Sequence, residues 1–176
     1  MARYNFTSNL SAKGIKKLRQ ELQNYKTNIL QHKIDLFARM LSEIGVNSAQ
    51  IRIADLDAIF TGELIASIHS LYGGSSKGTA IFYVVADSKH AAFVEFGTGQ
   101  LGMEGPYPYP FPIGMDWQYN TGKTIFEIGP GQYGWFYPAE DGTWKFTQGM
   151  PARPFMHEAF IDIYAKVERI AKEVFG

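Results

Sequence analysis

The chain has no cysteine, no net charge and no long apolar run, and each absence removes a class of function. Without cysteine among 176 residues there is neither a disulfide framework nor a thiolate metal site. Seventeen basic residues are matched by seventeen acidic ones, so no overall field draws the molecule to nucleic acid or to an anionic membrane. No stretch approaches the roughly 20 apolar residues of a membrane span, and residues 1–10 lack the apolar centre of a signal peptide. A soluble protein made in the cytoplasm, with no membrane contact, is the expectation. A hydrophobic content of 45% allows one sizeable core, and a single domain over 1–176 is expected.

Motifs that carry chemistry are equally scarce. The four histidines, His32, His69, His90 and His157, are dispersed, and no serine lies in a nucleophile-elbow pattern. Gly97-x-Gly99-x-x-Gly102 satisfies the dinucleotide-binding string, but that site needs a strand before the glycines and a helix after them. Here a helix is predicted before them and Gly105-Pro106 follows. His157-Glu158 opens like a zinc-protease signature, yet Ile161 stands where the second histidine belongs. The carboxylate pairs Asp55 with Asp57 and Glu140 with Asp141 sit in polar or turn settings, without the burial that shifts a catalytic pKa. No enzymatic activity, cofactor or metal is expected.

What the chain does have is patterned hydrophobicity. Ile15, Leu18, Leu22, Tyr25, Ile29, Leu36 and Met40 recur at steps of three and four, with His32 in the slot that breaks the row. This predicts a long helix over 11–44 with one apolar stripe, and a basic opposite face carrying Lys13, Lys16, Lys17, Arg19, Lys26 and Lys33. At about 1.5 Å per residue it would run roughly 50 Å, longer than one small core can cover. Leu18, Leu22, Tyr25 and Ile29 are therefore candidate interface residues. After Gly45 a linking stretch is predicted, then a core over 61–99. In it, Thr61 caps a short helix, strands cover 68–72 and 79–87 with a loop over 73–78, and a second short helix is capped by Ser88 and stopped at Gly97-Thr98-Gly99. The apolar run 81–86 does not alternate, so its strand is expected to be covered on both faces.

The insert 100–150 is proline-rich and holds twelve aromatic residues between Tyr107 and Phe146. Short strands are predicted over 123–128, 133–137 and 143–146, joined by turns at Gly129-Pro130-Gly131-Gln132 and Asp141-Gly142. Aromatics at this density form either a packed satellite cluster or a docking face. In the second case Tyr107, Tyr109, Phe111, Trp117, Trp135 and Trp144 are its candidate anchors. A closing helix over 151–176 carries a stripe of Met156, Phe160, Ile163, Val167, Ile170 and Val174. The fold class expected is α+β: a long N-terminal helix and a C-terminal helix packed on a small antiparallel sheet, with an aromatic, proline-rich β-hairpin insert.

Three segments in this order, 61–68 (Thr-Gly-Glu-Leu-Ile-Ala-Ser-Ile), 91–99 (Ala-Ala-Phe-Val-Glu-Phe-Gly-Thr-Gly) and 151–156 (Pro-Ala-Arg-Pro-Phe-Met), resemble the tail-completion, or head-tail joining, proteins of long-tailed bacteriophages, the gene-product-ten-like family. The resemblance covers most of the chain outside 100–149 and departs from the family at His90, where tyrosine is frequent, and in the longer, more aromatic insert. It marks Thr61, Gly62, Ser67, Glu95, Gly97, Thr98, Gly99, Pro151, Arg153, Pro154 and Phe155 as structural motif residues. It implies a virion or prophage component at the head-tail junction, assembled in the host cytoplasm, without a reaction of its own. Its partners would be sister copies in a ring and head-completion or tail-terminator proteins, with DNA passing nearby unbound. A monomeric adaptor that binds a protein or ligand through the insert is the alternative. Glu95 at a helix end and Arg153 between prolines are both held in fixed backbone, and a Glu95–Arg153 ion pair is expected to pin the last helix to the short one.

Overall fold

A computed structural model describes residues 4–56, 62–119, 123–139 and 141–176. Thr61, Asp57 and Glu140, named above, lie outside the described residues. The fold is α+β, with a long N-terminal helix, a C-terminal helix and small antiparallel sheets. Where length suggests one domain, packing groups the chain into two compact units. The first joins Met1–Ser48, Ile68–Val85 and Ala159–Gly176, and the second joins Ala49–Ser67 and Ala86–Glu158.

The N-terminal helix is longer than its periodicity suggests and is interrupted once. Helix α1 (Ala12–Asn24), capped by Ser11 Oγ accepting from Gly14 N at 3.1 Å, passes into a π-helical turn at Tyr25–Leu30 and then into α2 (Gln31–Asp55). The wider π turn accommodates one extra residue. This explains the broken row at His32. The inner row steps from Ile29 to Ile34, then to Phe37 and Leu41, and His32 faces solvent. The linker expected after Gly45 is absent, because α2 continues ten residues further. Gly45 is a contact residue and not a stop. A Cβ there would lie 2.6 Å from Ile163 Cδ1 and 2.7 Å from Val84 Cγ2, so only glycine admits this close approach.

Strands β1 (Ile68–Ser76) and β2 (Thr79–Ala86) form a two-stranded sheet. The connection is two residues, Lys77 and Gly78, both at positive φ (50° and 85°), as a type I′ hairpin turn requires. The six-residue loop expected at 73–78 is therefore mostly strand. Gln31 clamps the turn to α2: its Nε2 donates to Ser75 Oγ at 2.7 Å and to Thr79 O at 3.1 Å, and its Oε1 accepts from Gly78 N at 2.7 Å. Contrary to the two-sided burial expected for 81–86, exposure alternates, with Ile81 42% and Tyr83 51% exposed. Half-buried Phe82 and Val84 face α2 and Ile163 in a shared apolar groove.

In the second unit, α3 (Glu63–Ser67), α4 (Ala91–Phe96) and α5 (Gly99–Glu104) precede an antiparallel sheet ordered β3 (Phe126–Gly129), β4 (Gln132–Pro138), β5 (Trp144–Thr147). A two-residue strand β6 (Gly149–Met150) leads to α6 (Phe155–Phe175). Ser88 does not cap α4. It closes the preceding turn, with its Oγ accepting from His90 N at 3.3 Å, and His90 takes the cap position without a side-chain bond. The buried residues of α6 are Phe155, Ala159, Ile170 and Val174, while Phe160, placed on the stripe by periodicity, is largely exposed.

Replacing Gly45 with valine forces methyl groups into the space of Ile163 and Val84. The expected loss is about 1–3 kcal/mol of stability, read as a lower urea midpoint with unchanged slope.

Candidate functional site

Helix α6 begins without a cap of its own. Its entry, Pro151-Ala152-Arg153-Pro154, contains no serine, threonine, aspartate or asparagine, so the first N–H groups of the helix need acceptors from elsewhere. Glu95, the penultimate residue of α4, supplies them. Its Oε2 accepts from Met156 N at 2.8 Å and its Oε1 from His157 N at 3.1 Å. Tyr107 donates its hydroxyl to the same carboxylate. The positive end of the helix dipole adds to the attraction. The backbone closes the joint, with Arg153 N donating to Val94 O at 2.8 Å.

This replaces the ion pair expected between Glu95 and Arg153. Among the described residues no such pair is formed, because the carboxylate is already shared by helix N–H groups and a phenol. Arg153 contributes through its main chain. The nearby ion pair of this unit is instead Arg52 to Glu158 at 3.3 Å, which ties the end of α2 to the first turn of α6.

Burial is the largest influence on Glu95 and pushes its carboxyl above the ordinary carboxylate range. The two N–H groups and the Tyr107 hydroxyl oppose that rise, and the charge of Glu158 adds to it. Burial first, then the charge of Glu95 and the bond donated to it, push the Tyr107 phenol up to about 12.

Beyond Glu95 the chain turns on two glycines at positive φ, Gly97 at 80° and Gly99 at 63°. A Cβ on Gly97 would lie 2.7 Å from Ala152 N, and one on Gly99 would strike Gln148 O and lie 2.8 Å from Trp135 Cζ3. Thr98 and Gly99 bridge Met150 and Gly149, so the segment 97–99 runs antiparallel beside the entry to α6. Trp117 Nε1 donates to Gly97 O at 3.0 Å. A short helix, α5, does follow Gly99, contrary to the sequence reading, but the element before the glycines is α4 and not a strand, so the pyrophosphate-binding arrangement is missing.

Of the remaining motif residues, Gly62 has φ 76° and accepts from Ala66 N at 3.0 Å, and Ser67 Oγ bonds Leu64 O at 2.8 Å. Thr98, Pro154 and Phe155 are buried, and Pro151 is exposed. A signal the sequence reading passed over is Gln100, which accepts from Tyr133 N at 3.0 Å and donates to Gly131 O at 2.9 Å, fastening α5 to the β3–β4 turn. A polar residue one step beyond a Gly-Thr-Gly carries no distinguishing pattern.

The candidate anchors of the insert divide. Tyr107 is 8% exposed and is core, not interface. It belongs with Trp117 and Phe111 to a ring cluster about Phe96, with centroids 4.9, 5.2 and 5.8 Å away. Tyr109 stacks on His157 at 3.8 Å, and Trp135 lies half-buried beside Gly99. Trp144, 69% exposed, remains a free anchor. It stands opposite Pro138 in the sheet, beside the cross-strand pair Phe136 and Phe146. Phe126 extends that aromatic face, with its ring 5.6 Å from Phe136. Phe126 and Phe136 are also exposed. In the first unit none of the residues of α1 is buried. Leu22 is 45% exposed, Leu18 and Ile29 are half-buried, and the rings of Tyr4 and Phe6 rest edge-on against Tyr25 at 5.1 and 5.4 Å.

Among the described residues no three histidine or carboxylate side chains gather as a metal site, and no helix is long and apolar enough to cross a membrane.

A raised folded-state pKa contributes stability that is full below the unfolded value and lost as pH climbs through the folded one. The stability of the wild type relative to Glu95→Gln is thus expected to be greatest below about pH 4.5 and to fall above it, followed by urea unfolding across pH. Tyr107→Phe removes a donor to a buried carboxylate and should cost about 1.5–3 kcal/mol. A loss below 0.5 kcal/mol, on the order of an ordinary surface substitution, would contradict that bond.

No protein-family model matches the chain, and neither the curated proteins nor the solved structures contain a match to it.

Proposed function

We propose that this chain is a structural component of the head-tail junction of a long-tailed bacteriophage or prophage particle. It has no reaction of its own. The observation that carries this reading is the meeting of two resemblance motifs, 91–99 and 151–156, in one joint through Glu95. Residues shared with the joining proteins thus have structural work: Glu95 caps a helix, Gly97 and Gly99 permit close backbone approach, and Phe155 is fully buried. The buried carboxylate that a hydrolase would use is bound by three donors.

Assembly around a DNA channel needs copies that each present two different faces, since a heterologous contact closes into a ring after a fixed number of subunits. The stripe of α1 and the Trp144 face are uncovered surfaces of the kind required, one for sister copies and one for a head-completion or tail-terminator protein. Zero net charge suits a wall past which DNA moves, because few phosphate contacts form. The site of action is then the virion. The monomeric adaptor is the second reading, and the exposed face of Phe126, Phe136 and Trp144 favours it.

Deleting the coding sequence from the phage or prophage that carries it should leave filled heads and separate tails in electron micrographs. Supply of the wild type should restore joined particles, while Trp144→Asp should restore fewer. Infectious, joined particles made without the protein would overturn the role.

A further inference from the structure

The chain is neutral as a whole, but its two units are not. The first holds twelve basic residues against six acidic, and the second holds eleven acidic against five basic. Each unit also leaves an apolar face open. On the first unit this is the arm formed by α1 and the π turn. Lys13, Lys16, Lys17, Arg19 and Lys26 stand there against a single acid, Glu21, which Lys17 approaches to 3.7 Å. Ile15, Leu18 and Leu22 line a shallow groove flanked by Arg19 and Lys26, and no residue of α1 is buried. Helices in proteins are stabilised chiefly by packing such a face.

On the second unit the open face is one side of the β3–β4–β5 sheet. The antiparallel register sets Phe126 opposite Gly134, Phe136 opposite Phe146 and Trp144 opposite Pro138, so these side chains share that side. The rings of Phe126, Phe136 and Phe146 follow one another at 5.6 and 5.3 Å, and Trp144 beside them is 69% exposed. Trp135, on the other side, lies against Gly99 of α5. The insert 100–150 that carries the sheet is acidic, with Glu104, Asp116, Glu127, Glu140 and Asp141 against Lys123 and Lys145. Lys145 is already engaged by Asp141 at 3.7 Å.

We propose that the α1 arm of one copy lies across the aromatic sheet face of the next copy, with Ile15, Leu18 and Leu22 against Phe126, Phe136 and Trp144. Charge selects this pairing. Two basic arms repel, two acidic inserts repel, and arm and insert attract. The spans also agree: Ile15 and Leu22 are about 10 Å apart along a helix, and the outer strands of a three-stranded sheet are about 10 Å apart. Duplex DNA would engage the cations and leave the stripe in water. An anionic membrane would take stripe and cations and leave the acidic aromatic face open, whereas a sister copy covers both faces in one contact. The contact is heterologous, since arm and sheet are different surfaces, and so can propagate around a ring. It refines the head-tail reading, on which its place in a ring rests: both faces are turned to sister copies, and a head-completion or tail-terminator protein meets the ring they form.

The absence of cysteine makes the test free of background. Gln23→Cys beside the arm's stripe and Ile125→Cys beside Phe126, both at exposed positions, are made as separate full-length proteins of distinguishable size. They are mixed and treated with a short bismaleimide. The mixture should yield covalent heterodimers, and neither protein alone should yield covalent dimers. Leu22→Asp and Trp144→Asp should each weaken self-association, measured by sedimentation, about tenfold or more. Arg19→Glu with Lys26→Glu should weaken it as well, and so should raised salt. Covalent dimers of Gln23→Cys alone or of Ile125→Cys alone would pair like with like and overturn the proposal. So would self-association that Trp144→Asp leaves intact, or a chain that stays monomeric at every concentration. Binding of duplex DNA or phosphatidylglycerol vesicles that occurs without self-association and is lost in Leu22→Asp would overturn it too. Heterodimers together with joined particles after gene deletion would keep the contact and reject the neck role, whereas separate heads and tails after deletion without heterodimers would keep the role and reject the contact.

Discussion

The buried carboxylate of Glu95, set against the bare N-terminus of α6, is the interaction from which the second unit takes its shape. A helix that starts after proline has no side chain of its own to accept its early N–H groups, and buried donors left without acceptors cost about 1–3 kcal/mol each. Taking the acceptor from α4, some sixty residues earlier, turns that liability into a long-range tie. The tie also dictates what comes next in the chain. With Glu95 and the Val94 carbonyl both committed to the α6 entry, the backbone after Phe96 must leave α4 within van der Waals distance of residues 149–152. Only glycine fits at 97 and 99. Burial makes the carboxylate harder to ionise, so the joint is held by its donors and not by a counter-charge.

The insert between these two arms of the joint divides along a physical line. Its first aromatic residues return to Phe96 and fill the space over α4, where Tyr107 also reaches the Glu95 carboxylate. This is the packed cluster, and it reinforces the same joint. The later residues build the sheet of β3, β4 and β5, whose aromatic face stays open at Phe126, Phe136 and Trp144. Strands this short contribute few ladder bonds, and their register is set by the β3–β4 turn at Pro130-Gly131 and by Gln100.

Much of the architecture was legible because it follows from local chemistry. The stripe of α1, the turn residues of the insert and the glycines at 97 and 99 each state a backbone requirement in the residue itself. What escaped detection depends on contacts between distant segments. Gly45 reads as a helix stop, yet the neighbours that make glycine necessary, Val84 and Ile163, lie far along the chain. Arg153 beside a distant Glu95 suggests opposite charges in partnership, but the preference of a carboxylate for unpaired helix N–H groups is invisible until the helix start is located. The apolar run 81–86 implies burial on both faces, yet Ile81 and Tyr83 on one face are exposed.

The π turn sets the geometry of the apolar stripe. In a continuous α-helix a five-residue step from Ile29 to Ile34 would carry the apolar row well off its line, since each residue turns about 100°. A wider turn at Tyr25–Leu30 takes up the additional residue and keeps the stripe of α1 close to the line of Ile34, Phe37 and Leu41. One apolar face thus continues from the body of the unit, where hairpin and α6 pack on it, out along α1, where none of the residues is buried. π turns are uncommon and are retained where a local distortion serves a site. Here it serves alignment: the inner face of α2 stabilises its own unit, and the same face, prolonged through the distortion, continues along α1 with Arg19 and Lys26 at its flanks.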